Sequence, residues 1–344
     1  MSSILGEHIR VSIFGESHGE EIGVVIDGVE PGIELSESDF AQDIARRRSG
    51  AKGTTPRVEA DEPHILSGVF EGHTTGAPLA IVFKNTNTRS QDYAKLIDVP
   101  RPGHADFTAN VKYGGFQDPR GGGHFSGRLT LPVVAAGVVA KKILAETIEE
   151  ETNGHVQFRC GARLVEIGGI ADETRWEAAL DQAQQEGDSL GGIVECTVDG
   201  IPAGLGEPFW DSVESRLSHA LFAIPGVRGV EFGDGFAAAR MKGSEHNDCF
   251  TPDGIDGHEG LVTPATNHAG GVNGGITNGN PLVFRVAFKP TSSIAKEQQT
   301  FDFAKGEMTT LRVPGRHDTC FALRTPVIVE AVAAIVLADL IDLA

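Results

Sequence analysis

The sequence predicts a mixed α and β fold built as one integrated domain over residues 1–344. Three observations carry that expectation. Short runs of branched apolar residues alternate with longer stretches of helical periodicity. No Pro/Ser-rich linker and no internal repeat divides the chain. Apolar residues at 40% and charged residues at 22% supply enough core for a chain of 344 residues to fold without staples.

Taken in order, residues 8–14 and 21–26 read as two strands around a tight loop, 15–19. Residues 36–48 read as a helix, with Ser36 as N-cap and Asp39 as its acidic capping partner. Residues 79–84 are a strand. The stretch 130–149 is dense in small and branched apolar residues at its start, which implies a helix buried on most sides. Further helices are expected at 174–186, 211–222 and 325–343, and further strands at 191–198, 229–232 and 282–289. Two long glycine-rich segments, 112–128 and 267–280, carry His, Arg, Asn and Ser in mixed order, so they read as functional loops.

Composition excludes several classes. A net charge of −19 repels nucleic-acid backbones, yet a local arginine cluster still holds a small anion, because near charges outweigh screened distant ones. Cys160, Cys196, Cys249 and Cys320 are widely spaced and form no CxxC pair, which suits reduced thiols and no zinc ribbon. The start carries Glu7, His8 and Arg10 where a signal peptide would be apolar, and the last apolar stretch contains Glu330, Asp339 and Asp342. Neither reads as a membrane segment, and a cytoplasmic location is expected. Phosphate-loop, GxGxxG and HExxH motifs are absent from the sequence.

Six constellations carry chemistry. Gly15-Glu16-Ser17-His18-Gly19 pins an imidazole on a rigid turn, as a general acid or phosphate donor or simply as a surface turn. Arg46-Arg47-Arg48 with Lys52 and Arg57 is either a solvated helix end or an anion site; the Gly/Thr-rich loop that follows favours the anion. Arg101-Pro102-Gly103-His104-Ala105-Asp106 places a second imidazole on a turn. Arg120 to Arg128, with three glycines before a helix start, suits a phosphate through backbone N–H groups, with Ser126 and Arg128 as further donors. Asn267 to Gly275 and the following Lys289-Pro290-Thr291-Ser292-Ser293 place hydroxyls and a lysine after a strand, for a phosphate tail or an ordinary turn. Gly315-Arg316-His317-Asp318 offers a carboxylate as a base or as one member of an ion pair. Together they describe a phosphate-binding, arginine-lined pocket with two or three histidines.

In this order, and with Asn85–Tyr93 reading NTNTRSQDY, these segments resemble the chorismate synthase family over nearly the whole chain. The resemblance implies an α+β single domain with helices sandwiched between antiparallel β-sheets, and a homotetramer. It implies 1,4-anti elimination of phosphate from 5-enolpyruvylshikimate 3-phosphate to chorismate, with reduced FMN bound in the same pocket and no net redox change. NADPH serves some members as flavin reductant. His18 matches the residue thought to protonate the reduced flavin, and His104 the one near the departing phosphate. Asp318 matches the carboxylate that assists removal of the C6 proton. His124, Phe125, Ser126, Pro225, Gly226, Gly274, Lys289, Pro290, Thr291, Ser292, Ser293 and Arg316 fall on FMN positions. Arg47, Arg48, Lys52, Ser126 and Arg128 fall on positions for substrate or NADPH. No metal and no nucleic acid are implied.

Two departures stand out. Many members read R-S-S-A-R where this chain has His124-Phe125-Ser126-Gly127-Arg128, and Lys52 stands where arginine is common, which keeps the charge but loses the bidentate fork. Two rival readings remain: a metal-dependent phosphatase using His18, His104 and His268, and an anion-binding scaffold without turnover.

Overall fold

The structure is a computed structural model that describes residues 3–56, 59–87, 96–251, 263–313 and 317–341. Arg57, the 88–95 part of the NTNTRSQDY segment, and Gly315 and Arg316 lie outside the described residues.

Four layers make the fold. The outer layer is a five-stranded antiparallel sheet in the order Ile4–Leu5, Arg10–Gly15, Glu21–Asp27, Leu79–Lys84, His64–Ser67. The opposite layer is a four-stranded antiparallel sheet in the order Val227–Phe232, Leu282–Phe288, Gly192–Asp199, Arg159–Ile167. Between them run two long helices, Thr130–Glu151 and Pro326–Ile341, packed chiefly on each other. The first also packs on the five-stranded sheet and the second on the four-stranded one. The expected sandwich of helices between antiparallel sheets is therefore the observed architecture.

Side-chain period explains the layering. Along Gly192–Asp199 and Leu282–Phe288, alternate residues are buried: Val194, Cys196 and Val198 on one strand, Leu282, Phe284, Val286 and Phe288 on the other. A period of two gives each sheet one core face. The Pro326–Ile341 helix has no polar face and is buried all round, as a central layer requires. Its two acids are satisfied. Glu330 takes two bonds from Arg46 (2.7 and 2.6 Å), one from Lys141 Nζ (3.1 Å) and one from Ala162 N (2.7 Å). Asp339 accepts from the backbone N–H groups of Glu7, His8 and Ile9 (2.9, 2.7 and 3.0 Å) and from Arg216 Nη2 (2.8 Å). These bonds pin the chain entering the first sheet to the last helix.

Most expected elements appear with shifted ends. The strand expected at 8–14 is Arg10–Gly15, that at 191–198 is Gly192–Asp199, and that at 229–232 starts earlier, at Val227. The helix expected at 36–48 opens with the 3-10 turn Glu37–Phe40 and continues as Ala41–Arg47. Asp39 Oδ2 accepts from Ser36 N at 2.7 Å, as the capping reading requires. The helix expected at 211–222 is Val213–Leu221, capped by Ser212, whose hydroxyl accepts from Ser215 N (3.1 Å). Several elements lie where turn or no structure was read, among them the strands Ile4–Leu5, His64–Ser67, Gln298–Asp302 and Glu307–Leu311 and two longer elements. Asp106–Tyr113 is a helix, too short and too polar to show an apolar period, closed by Gly114 in the left-handed region. Arg159–Ile167 is a strand weakened by Gly161 and set by pairing with Gly192–Asp199.

The central helices pack tightly at Gly137. A Cβ there would lie 2.3 Å from Ala331 Cβ and 2.5 Å from Ala331 Cα. Gly137→Val is expected to force the two helices apart and cost about 3 kcal/mol. A urea denaturation midpoint equal to that of the parent protein would contradict this packing.

Candidate functional site

At one side of the layers a cavity of ≈ 1190 Å³ opens between six segments far apart in sequence. These are the end of the Ala41–Arg47 helix, the turn before Asp106–Tyr113, the glycine loop 121–128, the turn 222–228, residues 289–293 and the segment 317–324. Ser3, Ile4 and Leu5 of the N-terminal strand close another wall.

Arg47 enters from the C-terminal end of the Ala41–Arg47 helix and Arg128 from the turn that leads into the Thr130–Glu151 helix, and both are buried. Asp61 stands between them at 4% exposure, paired with Arg128 Nη1 and lying 3.4 Å from Arg47 Nη1. Its backbone sits at φ 51°, which a non-glycine residue adopts only where its surroundings hold it. Arg47 Nε donates to Thr130 Oγ1 (3.0 Å), and Arg128 Nε to Asn85 Oδ1 (2.9 Å). Burial pushes the Arg47 guanidinium down to about 9; Arg324 and Arg128 push the same way, while Asp61 and Asp318 oppose them. Arg48 also lines the cavity and bonds the carbonyl of Ala60.

A second group surrounds His104. Its Nδ1 is 2.6 Å from Asp106 Oδ1. Arg101 grips the same carboxylate through Nε (2.8 Å) and Nη2 (2.7 Å) and reaches Ser293 Oγ through Nη1 (3.0 Å). Burial pushes the Asp106 carboxyl up, but the bonds from Arg101 and His104 outweigh it and hold it well below the usual carboxylate range. Burial likewise holds the His104 imidazole below its ordinary value, against the pull of Asp106 and with the repulsion of Arg101 and Lys289. Lys289 Nζ, lowered by burial and by Arg228, donates to Ser292 Oγ at 2.6 Å, and Ser292 donates on to Gly103 O at 2.8 Å.

The glycine loop joins the two imidazoles. Gly121, Gly122 and Gly123 sit at φ 62°, 83° and 54°. A Cβ on Gly121 would fall 2.5 Å from His18 Cδ2, and one on Gly122 would fall 3.4 Å from His104 Cε1. The left-handed backbone favours glycine at all three positions, and at Gly121 the close approach of the His18 ring leaves no room for a side chain. His18 is buried directly behind Gly121 and is not itself a lining residue. Next along, His124 Nδ1 lies 2.8 Å from Gly15 O and its Nε2 3.3 Å from Ser3 Oγ, so this ring ties the loop to the N-terminal strand. Phe125 packs against Tyr113 with centroids 6.2 Å apart, and Ser126 donates to Ser17 Oγ at 3.2 Å.

Asp318 accepts from Thr55 N (2.9 Å) and Arg324 Nη2 (2.7 Å). Arg324 stacks 5.3 Å over the Phe321 ring. Two buried polar atoms on lining residues, Thr291 Oγ1 and Arg324 Nε, have no hydrogen-bond partner among the described residues. A cavity built this way suits a ligand rich in acceptor oxygens.

Of the residues singled out from the sequence, the cavity brings together Arg47, Arg48, His104, His124, Phe125, Ser126, Arg128, Pro225, Gly226, residues 289–293 and Asp318. Lys52 is outside it, exposed and paired with Glu177 (2.6 Å) and Asp181 (2.9 Å). Gly274 is also outside, in the turn of the Val272–Asn273/Ile276–Thr277 hairpin, and Arg316 lies outside the described residues. His268 is bonded to Asp234 (2.7 Å) away from the cavity, so His18, His104 and His268 do not converge as a metal-dependent phosphatase would need. Sequence reasoning missed Asp61, Arg101, Arg228 and Arg324 as wall residues. The only signal for Arg101 was its place in the Arg101–Asp106 motif, and single residues such as Asp61 and Arg324 carry no local pattern.

The family model described as chorismate synthase matches residues 9–341. A chorismate synthase of Chitinophaga pinensis is 59% identical over 334 residues, covering 97% of this chain and 95% of its own. One from Dehalococcoides mccartyi is 45% identical, covering 99% and 96%. A crystal structure of chorismate synthase superposes with a TM-score of 0.71 at 26% identity, covering 97% of this chain and 92% of that one.

The buried arginine pair depends on Asp61. Asp61→Asn leaves two guanidinium groups without their shared counter-charge and is expected to cost about 3 kcal/mol of stability at low phosphate. Added phosphate should return part of it; an unfolding curve insensitive to the substitution would contradict the arrangement.

Proposed function

Because this chain belongs to the chorismate synthase family, we propose that its central cavity is where phosphate leaves 5-enolpyruvylshikimate 3-phosphate. The family activity is a lyase reaction, the last step of the shikimate pathway: phosphate and a C6 proton are lost in a 1,4-anti elimination and chorismate is formed. The single observation that carries the site is the convergence of Arg47, Arg128, Arg101, His104 and Lys289 on one cavity.

The cofactor we propose is reduced FMN, bound beside the substrate, with NADPH as its reductant where the enzyme reduces its own flavin. The cavity volume of ≈ 1190 Å³ exceeds the usual single-ligand range of about 300–1,000 Å³, which suits two ligands together. The donor set fits a phosphorylated, flat, polar ligand: Lys289, the hydroxyls of Thr291, Ser292 and Ser293, and the backbone N–H of Gly226, with Pro225 beside it in the wall. His124 is tied to Gly15 and Ser3, so on this reading it shapes the wall, and Phe125 and Ser126 present the loop to the ligand. The chemistry the cofactor supplies when bound is transient electron donation, recovered before the product leaves.

The chain's own residues do the rest. Arg47, Arg48 and Arg128 hold the substrate's anionic groups, with Ser126 as a further donor. His104 gives a proton from Nε2 to the departing phosphate oxygen. Asp318, oriented by Thr55 and Arg324, assists removal of the C6 proton. His18 holds a proton behind the thin wall at Gly121. The glycine loop excludes water around the reacting ring. We further propose a single domain over residues 1–344 acting as a cytoplasmic homotetramer. Among the described residues no helix is long and apolar enough to cross a membrane. Phe209, Trp210 and Phe236 stand 85%, 88% and 78% exposed, apolar surface suited to subunit contact.

Two experiments test the reading. In an anaerobic assay with dithionite-reduced FMN and the substrate, chorismate absorbance is expected only with reduced flavin; folded protein giving none would overturn the assignment. His104→Ala should lower kcat by about 10²–10⁴-fold while the thermal midpoint moves by only a few degrees. Turnover close to that of the parent would remove His104 from the reaction.

A further inference from the structure

The imidazole of His104 has one nitrogen committed before any ligand arrives. Nδ1 meets two groups, Asp106 Oδ1 at 2.6 Å and Arg101 Nη2 at 3.1 Å. A guanidinium only donates, so a hydrogen on Nδ1 goes to the carboxylate. That carboxylate is itself fixed: Arg101 binds it through Nε, Nη2 and its own backbone N–H (2.8, 2.7 and 3.0 Å). Arg101 is buried and further tied to Ser293 Oγ. The ring edge that remains, Nε2–Cε1, faces Gly122, where an added Cβ would come within 3.5 and 3.4 Å. The ring lines the cavity.

We infer that Asp106, clamped by Arg101, is a positioning residue that fixes the Nδ1–H tautomer of His104 and so presents Nε2 to the departing phosphate. The inference rests on the proposed role of His104 at that phosphate. With Nδ1–H fixed, the neutral ring carries its lone pair at Nε2. An arriving phosphate favours the imidazolium, whose new proton sits on Nε2 and whose charge is met at the far side by Asp106. When the carbon–oxygen bond breaks, its electron pair stays on the phosphate oxygen. That oxygen takes the Nε2 proton, and His104 returns to the Nδ1–H neutral form. Arg101 keeps the carboxylate ionised and in one rotamer, so the ring neither flips nor exchanges tautomer between turnovers.

Asp106→Asn keeps the size and removes the charge. Arg101 then directs its donors at the amide oxygen, which turns the amide NH₂ toward Nδ1 and favours the opposite tautomer. Measured in the full-length enzyme with reduced flavin, kcat should fall about 10²-fold, with KM for the phosphorylated substrate within about threefold and the thermal midpoint nearly unchanged. The carboxylate favours the cation, so its loss should move the alkaline limb of the kcat profile, where protonated His104 disappears, to lower pH. Asp106→Glu should recover at least about tenfold of the loss. Asp106→Asn with kcat within about threefold of the parent overturns the inference, as does a loss of activity with the limb unmoved. If Asp106→Asn does not fold, Asp106→Ser carries the test through its limb and its kcat; both equal to the parent's would overturn the inference. His104→Ala with parental turnover defeats the underlying reading of His104, whereas an inactive His104→Ala beside a fully active Asp106→Asn defeats this inference alone.

Discussion

Everything at the cavity depends on keeping several cations in a poorly hydrated space while no ligand neutralises them. A buried guanidinium with no partner would be costly, and the chain answers with carboxylates placed one per group. Asp61 serves Arg47 and Arg128, Asp106 serves Arg101, and Asp318 serves Arg324. The carboxylates balance the cations without saturating them, since Arg324 Nε keeps no partner among the described residues and Arg47 lies 3.4 Å from its acid. A phosphate entering this cavity would meet donors already assembled, and its binding would not have to organise them.

The layered scaffold is what makes this possible. Arg47 ends a helix that packs on both central helices, Arg128 lies in the turn that opens the first of them, and Arg101 lies in the turn leading into the Asp106–Tyr113 helix. Asp339 and Glu330, buried in the last helix, tie that layer to the chain entering the first sheet and to the Ala41–Arg47 helix. A shift between the layers would displace Arg47 relative to Asp61 and Arg128, so the packing at Gly137 and Ala331 is part of the functional geometry as well as of the core.

What the sequence reveals follows from whether a signal is local. The dense apolar start of the Thr130–Glu151 helix and the alternation in Leu282–Phe288 are local, and both elements were legible. The Asp106–Tyr113 helix has no apolar period and is held by its contacts, so it reads as a turn. The three glycines at 121–123 mark a functional loop in the sequence as backbone donors for phosphate. The structure adds a reason invisible in the letters, the ring of His18 lying where a side chain on Gly121 would be. Asp61 and Arg324 have no pattern at all, since their meaning comes from partners such as Arg128, 67 residues away from Asp61. His104 and Asp318, carried over from the family resemblance, line the cavity, while Lys52, carried over in the same way, sits on the surface with Glu177 and Asp181.

The most direct measurement is a crystal structure of the enzyme grown without oxygen in the presence of FMN and 5-enolpyruvylshikimate 3-phosphate. Both ligands are expected in the one cavity, with the ring phosphate within hydrogen-bond distance of His104 Nε2 and the substrate's other anionic groups on Arg47 or Arg128. A complex in which the substrate occupies another surface, or in which His104 turns its Nδ1 edge to the phosphate, would contradict the proposed site.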